Sequence, residues 1–463
     1  MTGHVIVVGG GITGLTAAFR IKTLSPDTAV TLLESDDRVG GKIRSSTFAG
    51  LDGIDEGADA FLTRVPYAVA LAAELGLADQ LTSPAVAAAN VWWNGLHRIP
   101  EGLLLGVPTD LVKLGRTKLL TWPGKLRAAL EPILPATGVG ADSVGKLIRK
   151  RFGRQVHARL VDPLVGSIYA ADTDRFSLSG VPQILDLASK HRSLLIGARR
   201  MRAKAPAVSG PIFATPTGGM QVLTDTLAER LQAMGASIRT GVSVETIERN
   251  GGRWSVDERE ADAVVLATPA RHTAPLLAEV SKQAAASLAT FDHAGVVMVT
   301  ISIPAADWPR ALHGYSGYLV PKPVQQWVTA ASFASSKWAH WAPTGADGSA
   351  EVILRISLGR DGHDLTDRSD DELLEAALRE VGGHLGVELT PTSHRITHWP
   401  MAFPQYRPGH AKRVDAVVAA LAADTPGVFV AGASYRGIGI PACIQQGNAV
   451  AEAVTAHLRS VSA

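Results

Sequence analysis

The sequence predicts a protein of mixed α/β and α+β class, with one α/β domain assembled from separated segments of the chain. Three short apolar runs, 5–8, 263–267 and 427–432, have the length and composition of buried parallel strands. The chain between them is of two kinds, with helical periodicity in 80–207 and strand-like runs in 291–409. We therefore expect two insertions between the pieces of a Rossmann-like sheet.

The predicted boundaries follow from these changes in pattern. The discontinuous domain comprises 1–79, 208–290 and 410–463. The segment 80–207 forms a mainly helical insertion, membrane-binding-like or on the substrate side, and 291–409 forms an antiparallel-sheet domain that would bind substrate. Helices are predicted at 15–24, 110–120, 125–134, 143–160, 221–234 and 370–381, with a terminal helix to about 458. Further strands are predicted at 30–33, 236–239, 243–248, 253–256, 294–303, 316–320, 326–332 and 351–359.

A glycine-rich turn directly follows the first strand. It reads Gly9-Gly10-Gly11-Ile12-Thr13-Gly14 and opens a helix, and the second apolar run ends at Glu34, twenty residues after Gly14. Glycines let a diphosphate approach the backbone, and the helix N-terminus offers N–H groups and positive dipole. A carboxylate at this distance can accept hydrogen bonds from ribose hydroxyls. The arrangement predicts a dinucleotide site, with a purely structural turn as the alternative.

A second glycine pair indicates which dinucleotide binds. The sequence continues Arg38-Val39-Gly40-Gly41-Lys42, and Glu56-Gly57-Ala58-Asp59 follows. The first stretch resembles the Arg-x-Gly-Gly signature of amine-oxidase-like flavoproteins, and the second resembles the segment that runs along the flavin in that group. The resemblance implies a flavin dinucleotide lying extended. Two surface turns are the alternative interpretation.

Composition excludes several classes. The chain has 463 residues, 46% hydrophobic and 19% charged, which is typical of a globular protein of two or three domains. Its 45 basic and 43 acidic residues argue against a nucleic-acid binder. One cysteine, Cys443, excludes an intrachain disulfide and a cysteine metal cluster. We expect a cytoplasmic protein without signal peptide or membrane span.

No set of catalytic side chains stands out. The sequence contains neither a Gly-x-Ser-x-Gly elbow nor an HExxH motif, and the pair His394 and His398 lies in a predicted strand. We predict no metal site. A flavin supplies its own hydride acceptor, so we also predict no catalytic side chain, only residues that position the reactants.

Three further stretches resemble the porphyrinogen oxidases of haem biosynthesis, and among these most closely the coproporphyrinogen III oxidases of Gram-positive bacteria. They are 162–172, 399–406 and the C-terminal loop 427–447, with its Gly-Ala-Ser-Tyr-Arg-Gly-Ile-Gly-Ile-Pro-Ala-Cys-Ile run. The resemblance implies non-covalent FAD, dioxygen as acceptor, and the removal of six electrons to give coproporphyrin III and three hydrogen peroxide. Ser167 and Ala171 depart from the family, which usually has glycine there.

The resemblance also implies site residues. Those for FAD are Gly9, Gly10, Gly11, Ile12, Thr13 and Gly14 at the diphosphate, Glu34 at the ribose, Ser35, Gly41, Lys42, Gly57, Ala58, Asp59 and Ala60 along the flavin half, Val244 at the adenine, and Trp399, Ile438, Gly439 and Ile440 near the ring. Those for substrate are Arg44, Arg64, Arg98 and Arg407 for the propionates, with Ser167, Ile168, Tyr169 and Tyr406 at the macrocycle. The alternative interpretation is core packing for Val244, Ile438 and Cys443. For the arginines, the alternative is a solvated side chain without a ligand.

The expected partners are coproporphyrinogen III, dioxygen and the next haem-pathway enzyme, ferrochelatase. Basic residues concentrated in 146–159 predict a solvated helix face or, alternatively, a patch for a membrane surface or an anionic ligand, so membrane contact would be peripheral at most. Alternative functions are protoporphyrinogen IX oxidation, another amine-oxidase-like FAD reaction, and a non-enzymatic role as an FAD-stabilised assembly factor.

Overall fold

The fold comes from a computed structural model, in which residues 3–86, 88–135, 142–204, 210–342 and 350–461 are described. The chain divides into two compact units. Unit 1 comprises Met1–Ser83, Pro211–Phe291 and His410–Ala463, and unit 2 comprises Pro84–Gly210 and Asp292–Gly409. The sequence separates 80–207 from 291–409 as two domains, whereas the structure combines the two insertions in unit 2. The functional roles predicted for the insertions stay predictions.

The strands of the described residues are β1 (His4–Val8), β2 (Ala29–Leu33), β3 (Ser45–Phe48), β4 (Leu51–Asp55), β5 (Phe61–Leu62), β6 (Leu81–Thr82), β7 (Ala89–Trp92), β8 (Leu96–Arg98), β9 (Leu103–Leu104), β10 (Val107–Pro108), β11 (Phe213–Pro216), β12 (Ser237–Arg239), β13 (Ile247–Asn250), β14 (Arg253–Val256), β15 (Arg259–Ala261), β16 (Ala263–Leu266), β17 (Asp292–Pro304), β18 (Gly317–Leu319), β19 (Val328–Phe333), β20 (Glu351–Leu358), β21 (Ser393–Gln405) and β22 (Val428–Val430).

The α-helices are α1 (Ile12–Leu24), α2 (Pro66–Glu74), α3 (Leu111–Arg116), α4 (Trp122–Ala129), α5 (Val144–Phe152), α6 (Arg154–Val156), α7 (Asp162–Tyr169), α8 (Pro182–Lys190), α9 (Leu194–Lys204), α10 (Gln221–Ala233), α11 (Ala270–Leu276), α12 (Lys282–Ala289), α13 (Ala334–Lys337), α14 (Asp370–Leu385), α15 (His410–Asp424) and α16 (Ile440–Val461). No described helix has the length and apolar character that crossing a membrane requires.

Unit 1 is built on a parallel sheet of five strands in the order β12–β2–β1–β16–β22. Strand β1 is buried on both faces, as its uninterrupted apolar run predicts. Helices α1, α10 and α16 contribute to the hydrophobic core on one face, and α11, α15 and the β13–β14–β15 sheet contribute to the core on the other. All five carboxyl ends lie at one edge, which is where such sheets bind ligands.

Unit 2 contains a seven-stranded sheet in the order β21–β17–β20–β19–β18–β7–β8. The long strand β17 pairs antiparallel with β20 and β21, and α14 packs its Leu373, Ala377 and Val381 into the same core. Strands β7 and β8 come from the insertion that the sequence describes as mainly helical, and β7 pairs in parallel with β18. The two strands are only three or four residues long and pair with each other, and β7 joins the larger sheet through β18, far away in the sequence, so local patterning did not reveal them.

Some predicted elements differ in extent. The helix predicted at 143–160 is interrupted at Gly153, whose φ of 89° lies outside the helical region, and a π-helical turn, His157–Val161, follows α6. The strand predicted at 243–248 begins only at Ile247. The backbone before it is engaged elsewhere, because the N–H groups of Glu245 and Thr246 donate to the carboxylate of Asp257 at 3.1 and 2.8 Å.

Candidate functional site

The glycine-rich turn of unit 1 lies at the carboxyl edge of the parallel sheet. A methyl group at Gly14 would come within 1.9 Å of the carbonyl oxygen of Gly9, so the close packing of α1 on the turn requires glycine. At Gly11, the N-cap of α1, a methyl group would meet no atom within 4 Å. There is therefore open space beside Gly11, at the N-terminus of α1, where an anion site would need it.

Glu34 lies at the carboxyl end of β2 beside this turn. Its Oε2 accepts the Gly10 N–H at 2.6 Å, and its Oε1 accepts the Asp36 N–H at 2.9 Å and the Ser35 hydroxyl at 3.1 Å. These three bonds fix the carboxylate, and they leave about one lone pair that can accept a ribose hydroxyl, because a carboxylate has about four acceptor sites.

The second glycine pair lies directly against the first. The Gly40 N–H donates to the Gly10 carbonyl at 2.8 Å, and a methyl group at Gly41 would be 3.3 Å from the Gly11 Cα. Arg38 supports this turn by donating to the carbonyls of Val39, Gly41 and Ile43 at 2.7–3.0 Å. Arg38 is the arginine of the Arg-x-Gly-Gly signature, and this supporting role was not predicted from the sequence.

Lys42 follows this pair, at the same edge. Solvent reaches its side chain, but the protein around it displaces enough water to lower the pKa of Lys42 to about 8. Arg271, just after β16, lowers the same pKa further, and the Cys443 thiol opposes this shift. Arg271 is a second cation at this edge that the sequence analysis missed, because it belongs to no recognisable motif.

Cys443 lies buried in the first turn of α16. Its Sγ is 3.8 Å and 3.6 Å from the carbonyl oxygens of Gly437 and Ile438, and burial raises the pKa of the thiol. Gln446 supports the same loop, since its Oε1 accepts the Gly432 N–H at 3.4 Å and its Nε2 donates to the Gly437 carbonyl at 3.4 Å. These contacts agree with the structural interpretation of Cys443.

The remaining predicted cofactor residues divide between the units. Gly57, Ala58, Asp59 and Ala60 are partly or fully accessible in the loop after β4, Val244 packs partly buried against the core of unit 1, and Ile438, Gly439 and Ile440 lead into α16. Trp399 is half-buried in β21 and belongs to unit 2. The structure thus brings the residues predicted for the diphosphate and the ribose together in unit 1.

In unit 2, Ser167 and Ile168 are exposed at the end of α7 and Tyr169 is half-buried. The Tyr169 ring lies 5.0 Å from that of Phe176, which stacks on Tyr406 at 5.9 Å. Tyr406 is itself buried, so it supports the aromatic row from behind and does not form an exposed wall, contrary to the expectation from the sequence.

The predicted propionate arginines lie in different surroundings. Arg407 is held by two carboxylates, with Nη1 and Nη2 at 2.6 and 2.7 Å from Asp361 and Nε at 2.6 Å from Asp292. These partners raise the pKa of Arg407 even though its burial opposes the rise. We therefore withdraw Arg407 as a propionate ligand. Arg44 is exposed with its Nε 3.2 Å from the buried Glu56, and Arg64 and Arg98 are exposed.

His394 and His398 lie in β21, as the predicted strand requires. His398 bonds to the Thr366 carbonyl at 2.9 Å and to Asp370 at 2.7 Å. Among the described residues, no group of three histidine, cysteine or acidic side chains is arranged to hold a metal ion.

Comparison with known proteins gives the family. Residues 12–455 match the family described as flavin containing amine oxidoreductase. The chain belongs to this family. Its relatives include proteins named coproporphyrinogen III oxidase from Bacillus subtilis (strain 168) and Mycobacterium leprae (strain TN), each 33% identical over 98% of this chain and 98% of the relative.

Solved structures agree with this assignment. A crystal structure from Exiguobacterium sp. 255-15, whose protein is named after protoporphyrinogen oxidase, superposes with a TM-score of 0.85 at 29% identity over 99% of both chains. Cyclohexylamine oxidase from Brevibacterium oxydans IH-35A, at 17% identity, shares the fold with a TM-score of 0.69 over 99% of this chain and 100% of its own. The predicted fold class and the resemblance to porphyrinogen oxidases are confirmed.

Membership of the amine oxidoreductase family makes the chain a flavin-dependent oxidoreductase. The residues of unit 1 fit such a cofactor, because the open space at Gly11, the helix N-terminus behind it and the fixed Glu34 carboxylate suit a diphosphate and a ribose. The cations Lys42 and Arg271 lie at the same edge, where they would compensate the charge of a dinucleotide.

Proposed function

We propose that this chain oxidises coproporphyrinogen III to coproporphyrin III with non-covalently bound FAD and dioxygen. The observation that carries the proposal is the similarity to coproporphyrinogen III oxidases along nearly the whole chain, which covers both units. One substrate and three dioxygen would give one porphyrin and three hydrogen peroxide, with six electrons transferred in three two-electron steps. FAD, when bound, would accept a hydride from the substrate in each step and pass the electrons to dioxygen.

The protein's own contribution would be position and charge. The turn at Gly11 and the amides of α1 would hold the diphosphate, Glu34 would hold the ribose, and Lys42 would add positive charge near the flavin half. Burial of Cys443 against backbone carbonyls supports non-covalent attachment, since the thiol is engaged within the loop. In unit 2, Ile168 and Tyr169 would contact the apolar macrocycle.

The test is a purified holoenzyme assay. We expect a flavin absorption spectrum, release of FAD on denaturation, and an increase in porphyrin fluorescence on adding coproporphyrinogen III, with three peroxide per porphyrin. Retained flavin without oxygen uptake on any porphyrinogen would refute the enzymatic proposal and favour an assembly role. Protein that cannot be loaded with FAD would refute the cofactor assignment.

A second candidate substrate is protoporphyrinogen IX, favoured by the name of the Exiguobacterium structure and by a 27% identical relative named protoporphyrinogen oxidase 2 from Arabidopsis thaliana. The two substrates differ in charge, with four carboxylates on coproporphyrinogen and two on protoporphyrinogen. Comparing kcat/KM for both on one holoenzyme preparation separates the candidates. A higher value for the dicarboxylate would reverse our assignment.

We also propose a peripheral contact between unit 2 and an anionic membrane. Large apolar side chains are exposed on and beside α3 and α4: Val112 (65%), Trp122 (76%), Leu126 (64%) and Ile133 (72%). The sequence 111–130 contains five basic residues and no acidic one, and Lys125 lies 5.3 Å from the ring of Trp122. Exposed apolar residues among basic ones are typical of surfaces that lie on anionic lipid.

Vesicle co-sedimentation tests the membrane contact. We expect binding to phosphatidylglycerol vesicles that decreases with salt, is absent with phosphatidylcholine, and falls strongly in a Trp122→Ser/Leu126→Ser variant. Val418→Ser on α15 is a matched control for an exposed apolar side chain in unit 1. Equal binding by all three proteins would refute the contact.

Ferrochelatase remains the proposed recipient of the product. We expect its addition to shorten the lifetime of enzyme-bound coproporphyrin, measured by stopped-flow fluorescence. An unchanged rate of product release would contradict this proposal.

A further inference from the structure

The end of α7, which presents Ser167, Ile168 and Tyr169, is supported by one buried arginine of unit 2. Arg360 is only 7% exposed. Its Nη1 lies 3.3 Å from Asp162 Oδ2 and 3.3 Å from Gln325 Oε1, and its Nη2 lies 3.2 Å from Asp162 Oδ1 and also donates to the Ala171 carbonyl. One guanidinium therefore joins the first residue of α7 to the residues that follow its last turn.

Asp162 is the acidic half of this connection. It is fully buried, and its Oδ1 also accepts the hydroxyl of Thr173 at 2.5 Å. A buried carboxylate is stable as an anion only where a cation and hydrogen-bond donors surround it, so Asp162 depends on Arg360.

The absence of a side chain at Gly166 leaves room on α7 for the guanidinium of Arg360. A methyl group at Gly166 would be 2.9 Å from Arg360 Nη2 and 3.1 Å from the Ala171 carbonyl oxygen. The chain then reverses at Ala170, whose φ is 47°, and the Ala171 N–H donates back to the Gly166 carbonyl at 2.9 Å. Glycine at 166 is thus explained by the position of Arg360.

Neighbouring groups hold the same segment. The N–H of Asp361, next to Arg360, donates to the Ala170 carbonyl at 2.8 Å, and Gln405 Nε2 donates to the Tyr169 carbonyl at 3.1 Å. Lys322 pairs with Asp172 at 2.6 Å. The backbone of 169–172 is therefore fixed from behind, while Ser167 and Ile168 stay accessible.

We propose that Arg360 is a positioning residue for the porphyrinogen, which fixes α7 and the turn after it so that Ile168 and Tyr169 meet the macrocycle in one arrangement. This inference rests on the proposed function. Arginine suits the role because its planar fork reaches a carboxylate and a carbonyl together, whereas a lysine ammonium is a single point of attachment. Loss of the fork should thus weaken substrate binding while Asp162 keeps a cationic partner.

The experiment compares Arg360→Lys with Arg151→Lys in the FAD-loaded enzyme. Arg151 is the matched control, because it is equally buried in unit 2 and pairs with the buried Glu131, while its partners lie outside 162–172. For Arg360→Lys we expect KM for coproporphyrinogen III and the Kd for coproporphyrin III to rise about tenfold or more. Flavin content and kcat should stay within about twofold of the wild type.

Gly166→Ala gives an independent second variant. It removes no charge and improves helix propensity, yet it places a methyl group against the guanidinium, so we expect the same rise in KM and product Kd. If Arg360→Lys does not fold, Gly166→Ala still tests the role of Arg360.

Equal KM and Kd for Gly166→Ala and wild type, or equal changes in Arg360→Lys and Arg151→Lys, would overturn the role of Arg360. A wild-type holoenzyme that binds coproporphyrin but does not oxidise coproporphyrinogen would refute the proposed function instead. The product Kd values would then still decide the role of Arg360.

Discussion

Two glycines of the same turn should respond to the same substitution in opposite ways. A methyl group at Gly11 would meet no atom within 4 Å, whereas one at Gly14 would lie 1.9 Å from the Gly9 carbonyl oxygen. We therefore predict that Gly11→Ala leaves the fold intact and weakens FAD binding, while Gly14→Ala damages the fold itself.

The magnitudes follow from these distances. Contact at 3.0 Å would require a shift of at least about 1.1 Å between α1 and the turn in Gly14→Ala, and overpacking of this kind costs about 1–3 kcal/mol of unfolding free energy or more. In Gly11→Ala the folded apoprotein should lose at most about 1 kcal/mol, the loss expected at an N-cap. Blocking one N–H contact to a charged diphosphate costs about 1.5–3 kcal/mol, or roughly a 10- to 150-fold weaker Kd for FAD.

Denaturant unfolding of the apoproteins and fluorescence titration with FAD measure the two quantities separately. The reasoning would be refuted if Gly11→Ala bound FAD as tightly as the wild type. It would also be refuted if apo Gly14→Ala unfolded at the wild-type denaturant concentration. Gly383→Ala, at an exposed position of α14 where a methyl group meets no atom within 4 Å and φ is not positive, controls for a general effect of adding a methyl group to a surface glycine.

Three further predictions concern charged groups of unit 1. Arg38→Met removes the donor to three turn carbonyls, so we expect the FAD content after purification to fall by at least about half, measured by absorbance against Arg20→Met as the control. Because the pKa of Lys42 is about 8, FAD affinity should weaken by up to about tenfold per pH unit above 8, and titration of Lys42→Arg should show no such slope. Burial lowers the pKa of His410 to about 4, whereas in the unfolded chain this pKa is about 6.5, so the unfolded chain takes up the proton at a higher pH. The free energy of unfolding should therefore decrease by at most about 3 kcal/mol as pH falls from about 6.5 to about 4. Thermal unfolding of His410→Gln should show a shallower pH dependence.

The sequence predicts the parallel sheet of unit 1 well, for a physical reason. Strands β1 and β16 are buried on both faces, so their runs are uninterrupted, and the glycine turn and Glu34 follow strands directly. Each of these features is determined by residues close together in the sequence, so a local pattern is enough to predict it. The predicted helix at 221–234 and the observed α10 also agree closely, since an amphipathic helix shows its period within one window.

Contacts between residues that are distant in the chain could not be predicted from local sequence patterns. The pairing of β7 with β18, and of Asp162 with Arg360, joins residues about two hundred positions apart. A strand at 316–320 is predicted from the sequence, but no local signal indicates its partner. The partners of Arg407 could not be predicted from the sequence either, since its guanidinium donates hydrogen bonds to the carboxylates of Asp361 and Asp292. A basic residue in a family-like stretch therefore predicts charge at that place, not its availability to a ligand.

Under the proposed function the two units would position their ligands by different means, and this difference would decide which substitutions matter. In unit 1 the predicted diphosphate contacts come from backbone amides, so the sensitive positions there are glycines such as Gly11, where an added methyl group would block the contact. In unit 2 the backbone of α7 is held by buried charges, so the sensitive positions are Arg360 and Asp162, where a lost partner leaves an uncompensated charge. Substitutions in the first group should therefore be detected by FAD titration and those in the second by porphyrin titration. A variant of Arg360 that lost FAD before it lost porphyrin binding would contradict this separation.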